Sequence, residues 1–361
     1  MEASVTVNFA KYGLRDNPFV SGPVVRIDST DERINGKLYC KELAEEQLKK
    51  FHKLVSLEKI AIYVNADKEV LGTGKSALMA AAYWEMVAAN TKAVWVEATG
   101  GITINSILGK IVDTLVVRKY IAKIKETIDV TSTDELKQAL LQKTTLPSDA
   151  KIDAVKRILS MPDEQIPWKY SNIRRSIPMY SLTDVFGAIL NILFSVDGSH
   201  FFFFIDQFEE YIIASSRGAR LNQMGNDLND LFRALQGQAT LVVSLHPAAE
   251  SLFQSAAGDY VQSLAPVKQN SIFVPKLDGP MTARMVRYYL DAFRSRDSNH
   301  TGTVFPFSNK AIESLTEELD YNPRDVINAL RTALTLGVEA GKVPIDWDFI
   351  NSPDNRDLII G

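Results

Sequence analysis

The chain has 361 residues, of which 46% are hydrophobic and 23% charged, with a formal net charge of −4. That length supports one large or two ordinary domains with a real core, and the balance excludes a disordered chain. The acidic total confines any nucleic-acid surface to a local patch, the single Cys40 excludes an intramolecular disulfide, and the scattered His52, His200, His246 and His300 give no zinc-ligand spacing.

A lead-in with the segment KYGLRDNPF (Lys11–Phe19) comes first, and a helix is expected over Cys40–Leu57. The start, MEASVTVNFAKYG, lacks a basic stretch followed by an apolar core, so no signal peptide is expected and a reducing, cytoplasmic location is. Lys59–Ala66 is a β-rich apolar run of strand length. The glycine-rich stretch Asp67–Tyr83 follows, and Ser76–Ala89, rich in Ala, Leu and Met without Gly or Pro, predicts a helix. Ala93–Ala98 reads as a second strand, Phe201–Asp206 as a third, Thr240–Leu245 as a fourth and Ser271–Pro275 as a fifth. Between the second and third, Gly100–Gly198 predicts helices over Ile104–Lys125, Thr133–Gln142, Asp153–Leu159 and Leu182–Val196, interrupted at TTLPSD and MPDEQIPW, where proline disfavours helix. Further helices are predicted over Thr282–Arg294, Asn309–Leu319 and Asn322–Ala340. The longest apolar stretches, around Phe186–Val196 and Phe201–Ile205, are too short to span a bilayer, so no membrane partner is expected.

Continuous apolar runs separated by helical patterns predict a parallel sheet covered on both faces. The expected class is α/β: a core with a five-stranded parallel sheet, a helical insertion and a C-terminal helical lid. The expected divisions are a lead-in and helix over 1–58, the core over 59–279 with its insertion at about 100–198, and the lid over 280–361.

The chemistry concentrates in two places. Gly72-Thr73-Gly74-Lys75-Ser76-Ala77 lies between a strand and a helix, where backbone N–H groups and a helix N-terminus face an anion. Lys75 would bridge β- and γ-phosphate oxygens, and Ser76 would hold Mg²⁺. Gly72 and Gly74 would let the backbone wrap closely. Glu69 stands where such loops carry their first glycine, which leaves open a working site, a degenerate site or a plain glycine turn. The second place is the acidic end of the strand in FFFFIDQFEEYI (Phe201–Ile212). A carboxylate buried at a sheet edge is costly unless it meets a cation, so Asp206 fits a second Mg²⁺-holding position. Glu209 or Glu210 would then take a proton from the attacking water. The alternative for these acids is a solvated helix start, favoured by the macrodipole.

Together these motifs resemble the P-loop ATPases of the AAA+ or STAND type. Phe202–Glu210 is similar to the STAND-like pattern of four hydrophobics, Asp, any residue, a hydrophobic and two acids, with Gln207 replacing the plain Asp-Glu of most AAA+ proteins. The resemblance implies an additional strand between the two motif strands, a place suited to Ala93–Ala98. It also makes Leu241–Phe253 a sensor segment, with Ser244 facing the γ-phosphate and His246 where an Arg is common. Tyr321–Leu330 (YNPRDVINAL) is similar to the sensor-2 motif, with Arg324 reaching back to the nucleotide. YGLRDNPF looks like the start of the DNA-linked ExeA, TniB and origin-recognition-like groups, which implies an adenine pocket near Arg33–Tyr39. The likeness runs from about Tyr12 to Leu336.

The implied ligands are ATP and Mg²⁺; no GTP-specific Asn-Lys-x-Asp sequence occurs. Val116–Lys125 and Trp168–Tyr180 mix basic and aromatic residues, which suits DNA, a protein partner or a homo-oligomer. Arg174 and Arg175, or Arg217 and Arg220, are candidates for a trans-acting guanidinium, and solvated helix faces are the alternative. The segment APVKQNSIF, where such an Arg often lies, carries only Lys268. With no output domain recognised after the lid, output is expected from the insertion, from assembly or from a separate polypeptide. Three readings stand: an ATP-hydrolysing switch acting on a protein or nucleic acid, a nucleotide-binding scaffold with little turnover, and a small-molecule kinase.

Overall fold

The computed structural model describes residues 8–20, 22, 25–66, 72–98, 103–141, 149–167, 170, 182–215, 219–235 and 237–361. Glu69, Arg174, Arg175 and Arg217 lie outside the described residues, as does most of Trp168–Tyr180. The chain forms two compact units: a sheet unit (Lys49–Glu69 and Ala82–Phe273) and a helical unit (Met1–Leu48, Val70–Ala81 and Val274–Gly361).

The sheet unit holds five parallel strands, β1 (Ala61–Asn65), β2 (Lys92–Glu97), β3 (Phe201–Asp206), β4 (Ala239–Ser244) and β5 (Ser271–Phe273), in the order β2-β3-β4-β1-β5. β1, β3 and β4 are buried along their whole length, as their unbroken apolar runs require. The expectation that Ala93–Ala98 lies between the two motif strands is corrected: β4 occupies that place, and β2 is an edge strand. Its terminal residues Lys92 and Glu97 are only half-buried, whereas β4 is buried throughout.

The edge of β2 is closed by cations. The amide of Ala98 donates to Asp206 O at 2.8 Å, so the backbones of residues 93, 95 and 97 point away from β3. Arg118 donates to Ala93 O at 3.0 Å and Lys110 Nζ to Glu97 O at 2.7 Å. Both come from the helix Ile104–Val117 and its C-cap. The single helix expected over Ile104–Lys125 is in fact two, Ile104–Val117 and Tyr120–Thr127. Lys119 adopts a left-handed backbone (φ 61°) at the break, and the second helix turns Ile121 and Ile124 fully into the core. The rest of the insertion packs Leu136, Ile152, Val155 and Ile158 with the apolar helix Leu182–Asp197 into one core with the sheet.

The basic segment Val116–Lys125 is largely tied up inside this unit. Arg118 also bonds the Tyr83 hydroxyl. Lys123 pairs with Asp197 at 3.0 Å, and Lys125 bonds Asp163.

The helical unit has its own core, built from the helices Gly279–Ala292, Asn309–Glu318 and Pro323–Ala340 with Tyr12, Leu14 and Phe19 of the lead-in. The lead-in is stitched to the C-terminal residues. Tyr12 donates to Lys342 O at 2.7 Å, Arg294 to Tyr12 O at 2.9 Å, and the Asn17 amide to Arg331 O at 3.2 Å. Burial pushes the Arg294 guanidinium below its usual range, with Asp291 partly compensating. No helix among the described residues is long and apolar enough to cross a membrane.

Candidate functional site

Two clusters of predicted site residues are described, one in each unit. In the helical unit, Gly72 and Gly74 take positive φ values of 87° and 93°, a backbone that side chains resist. The helix Lys75–Ala88 begins immediately after them, so its first amides open onto the loop. A methyl group on Gly72 would lie 2.7 Å from Arg324 Cβ and 2.7 Å from Asn322 Oδ1. The start of the helix Pro323–Ala340 therefore sits against the loop and brings Arg324 beside Gly72. Asn322 fixes that start by accepting the Arg324 amide at 3.1 Å. Its role was only half visible in the sequence, where Asn-Pro marks a helix start but says nothing of the neighbour.

A methyl on Gly74 would meet no atom within 4 Å, so the backbone there faces open space. Two polar atoms at this cluster are buried without a hydrogen-bond partner: Thr73 Oγ1 and Arg324 Nε. Lys75 is 8% exposed. Unpartnered donors around a glycine backbone with room beside it fit a bound phosphate chain. Ser76 and Ala77 occupy the first turn of the helix. The segment Arg33–Tyr39 also reaches this helix: a methyl on Gly36 would stand 2.4 Å from Ala80 Cβ.

In the sheet unit, β3 ends at Asp206, 2% exposed, whose Oδ1 accepts the Gln207 amide at 3.0 Å. Gln207 adopts a left-handed backbone (φ 58°) and turns the chain straight into the helix Phe208–Ala214. Its Oε1 is buried without a partner. The two glutamates on that helix differ. Glu209 is half-buried and accepts the Ser244 hydroxyl, whereas Glu210 is exposed. Ser244, at the last residue of β4, is 1% exposed. The two residues meet because β3 and β4 are neighbours. His246 caps the helix Pro247–Ala256, its Nδ1 accepting the Ala249 amide at 3.4 Å, a structural duty that accounts for a short side chain where an Arg was looked for.

Asp206, in the sheet unit, is the kind of buried carboxylate that suits a divalent cation, and the Ser76 hydroxyl, in the helical unit, is a ligand of the same oxygen class. Among the described residues no group of three or more His, Cys, Asp or Glu side chains forms a metal cage.

The sequence matches no established family profile, and no curated protein matches it significantly. Solved structures do resemble it. The ORC2 protein of Aeropyrum pernix, in ADPNP–ADP complexes, aligns at a TM-score of 0.51 with 14% identity over 92% of this chain and 68% of that one. Its ADP form aligns at 0.51 with 12% identity over 95% and 71%. A Walker-type ATPase of Pyrococcus abyssi aligns at 0.45 with 12% identity over 91% and 73%, too loosely to bear on the fold. With its five-stranded parallel sheet, the chain has the α/β fold of these ORC2 structures.

Proposed function

We propose that this chain is a P-loop ATPase of the AAA+ type that binds ATP with Mg²⁺ and hydrolyses it as a conformational switch for a protein or nucleic-acid partner. One observation carries the reading: Thr73 Oγ1 and Arg324 Nε, both buried and without a partner among the described residues, flank two glycines whose positive φ values make a tight turn. Isolated buried polar atoms are expensive, and a phosphate chain supplies acceptors for both. Gly72, Thr73, Gly74 and Ala77 give the loop its backbone donors. Lys75 neutralises phosphate charge, and Arg324 adds a second cation. Ser76 and Asp206 hold Mg²⁺, which when bound neutralises phosphate oxygens as charge develops. Glu209, and not the exposed Glu210, orients the attacking water and accepts its proton, with Ser244 fixing the Glu209 carboxylate.

The readout would start within the helical unit, where Asn322 and Arg324 lie against the loop that meets the phosphates. The ORC2 likeness makes DNA one partner to test. The engagement of Arg118, Lys123 and Lys125 within the sheet unit shifts weight towards a protein partner or self-assembly. A scaffold with little turnover is the second reading. It draws on the Ser244 hydroxyl already occupying a Glu209 carboxylate oxygen.

The deciding experiment measures binding of a fluorescent ATP analogue and the rate of phosphate release, across protein concentration, with and without DNA. Saturable, Mg²⁺-dependent binding that vanishes in Lys75→Ala is expected. Binding that is unchanged in that variant would end the proposal. Binding without phosphate release under every condition would leave the scaffold reading. A concentration-dependent rate would mark assembly, and a DNA-dependent rate a nucleic-acid partner.

A further inference from the structure

The sheet unit carries a second pocket that the nucleotide reading does not use. It has a volume of about 170 Å³ and lies where the helix Phe208–Ala214 meets the helix Ala219–Leu235 and the start of the helix Ile104–Val117. Tyr211 closes it from the first helix. Arg220, Gln223, Met224 and Asp227 line it from the second, at spacings of three and four residues that put them on one helical face. Thr103, the N-cap of the third helix, and the buried Ser215, just past the first, contribute the remaining wall.

The polar inventory of this pocket is unbalanced. The Tyr211 side chain is 1% exposed, yet its hydroxyl has no hydrogen-bond partner. Burial, with Asp227 adding to it, pushes the phenol well above its usual range, so the hydroxyl remains a donor at every physiological pH. Arg220 is exposed and makes no hydrogen bond or ion pair among the described residues. Two donors therefore face one cavity without an acceptor. The one acid in the wall, Asp227, is already bonded by the Gln223 amide at 2.7 Å. Its charge still opposes a multiply charged anion, and the buried Met224 offers an apolar floor.

We propose that this pocket binds a small organic monocarboxylate, its oxygens on the Tyr211 hydroxyl and the Arg220 guanidinium and its carbon body on Met224. A carboxylate supplies the acceptors that both donors lack, and Arg matches it with two parallel N–H groups. The pocket excludes inorganic phosphate through Asp227, where a second negative charge would be repelled. Tyr211 lies two residues beyond Glu209 on the same helix, so occupancy is positioned to bear on the acidic strand end.

Ligand-observed NMR titration of the full chain with isobutyrate, benzoate and inorganic phosphate tests this. Saturable binding of at least one carboxylate is expected. Tyr211→Phe and Arg220→Gln should each weaken it about tenfold, as loss of a hydrogen bond to a charged group does. Binding should persist in Lys75→Ala, which separates it from any nucleotide site. Three results would overturn the proposal: no saturable carboxylate binding, unchanged affinity in both variants, or phosphate binding tighter than either carboxylate. Loss of carboxylate binding in Lys75→Ala would place it in the phosphate loop instead.

Discussion

The glycine loop and the acidic strand end are opposites in what they leave unsatisfied. Around the loop the leftover groups include donors: Arg324 Nε and the Thr73 hydroxyl. At the strand end the leftover atom beside Asp206 is an acceptor, Gln207 Oε1, and Glu209 already takes the one hydroxyl offered to it by Ser244. Under the proposed reading, one cluster would be finished by an anion and the other by a cation or water. Polar atoms left over after folding thus distinguish a phosphate cradle from a metal-and-water position more directly than motif spelling does.

The largest effect should come from emptying the donor side. Lys75→Ala is expected to abolish ATP binding while the circular-dichroism melt stays cooperative. Retained binding would break the comparison at its first half. Next is the acceptor side. Glu209→Gln should slow phosphate release by roughly a hundredfold or more while binding persists, in line with a lost general base. The exposed Glu210→Gln should change the rate by less than about threefold by the same principle. Equal effects in single-turnover assays would erase the difference in burial as an explanation.

The glycines sharpen the loop half. Gly72→Ala meets both an unfavourable backbone and the Arg324 and Asn322 contacts, and should cost about 2–4 kcal/mol in urea unfolding. Gly74→Ala faces open space and should cost only the backbone share, about 1–2 kcal/mol. It should nevertheless weaken nucleotide binding, because its methyl enters the space beside the loop. The smallest effect is electrostatic and lies in the helical unit. Arg33 beside Asp31 holds that carboxylate below its usual range, chiefly by a side-chain hydrogen bond. A depressed acid stabilises the fold above its unfolded pKa of about 3.9 and loses that share as pH falls through its folded value. Arg33→Gln should therefore destabilise by less than about 1 kcal/mol at pH 7, with the gap closing near pH 3 in denaturant midpoints.

The strands were legible because a fully buried strand writes itself as an apolar run, and β3 has the bounds its sequence indicates, Phe201–Asp206. Strand order was not. Which strand lies beside which depends on how crossover helices pack, a non-local matter that put β4 and not β2 beside β1. The break at Lys119 was hidden for a related reason. Nothing in VVRKYIAK resists helix, and the left-handed turn is set by burying Ile121 and by Arg118 reaching Ala93 O. The helix Ala219–Leu235 carries Met224, Leu228 and Leu231 at helical spacing, a signal present in the sequence beyond the point where the acidic motif held attention. At the candidate site, residue identities were readable, but the pairing of Ser244 with Glu209 required two distant strands to be neighbours. The choice between Glu209 and Glu210 required knowing which face of a short helix is covered.

Two occupied carbonyls on the margin of β2 bear on whether that border can pair with another strand. An open strand border offers a ready template on which a second molecule can grow a ladder, and long runs of such borders seed fibrils. Here the carbonyls of Ala93 and Glu97 are each taken by a long basic side chain. Trimming Arg118 and Lys110 together would uncover that border and turn a well-behaved preparation into one that polymerises on standing.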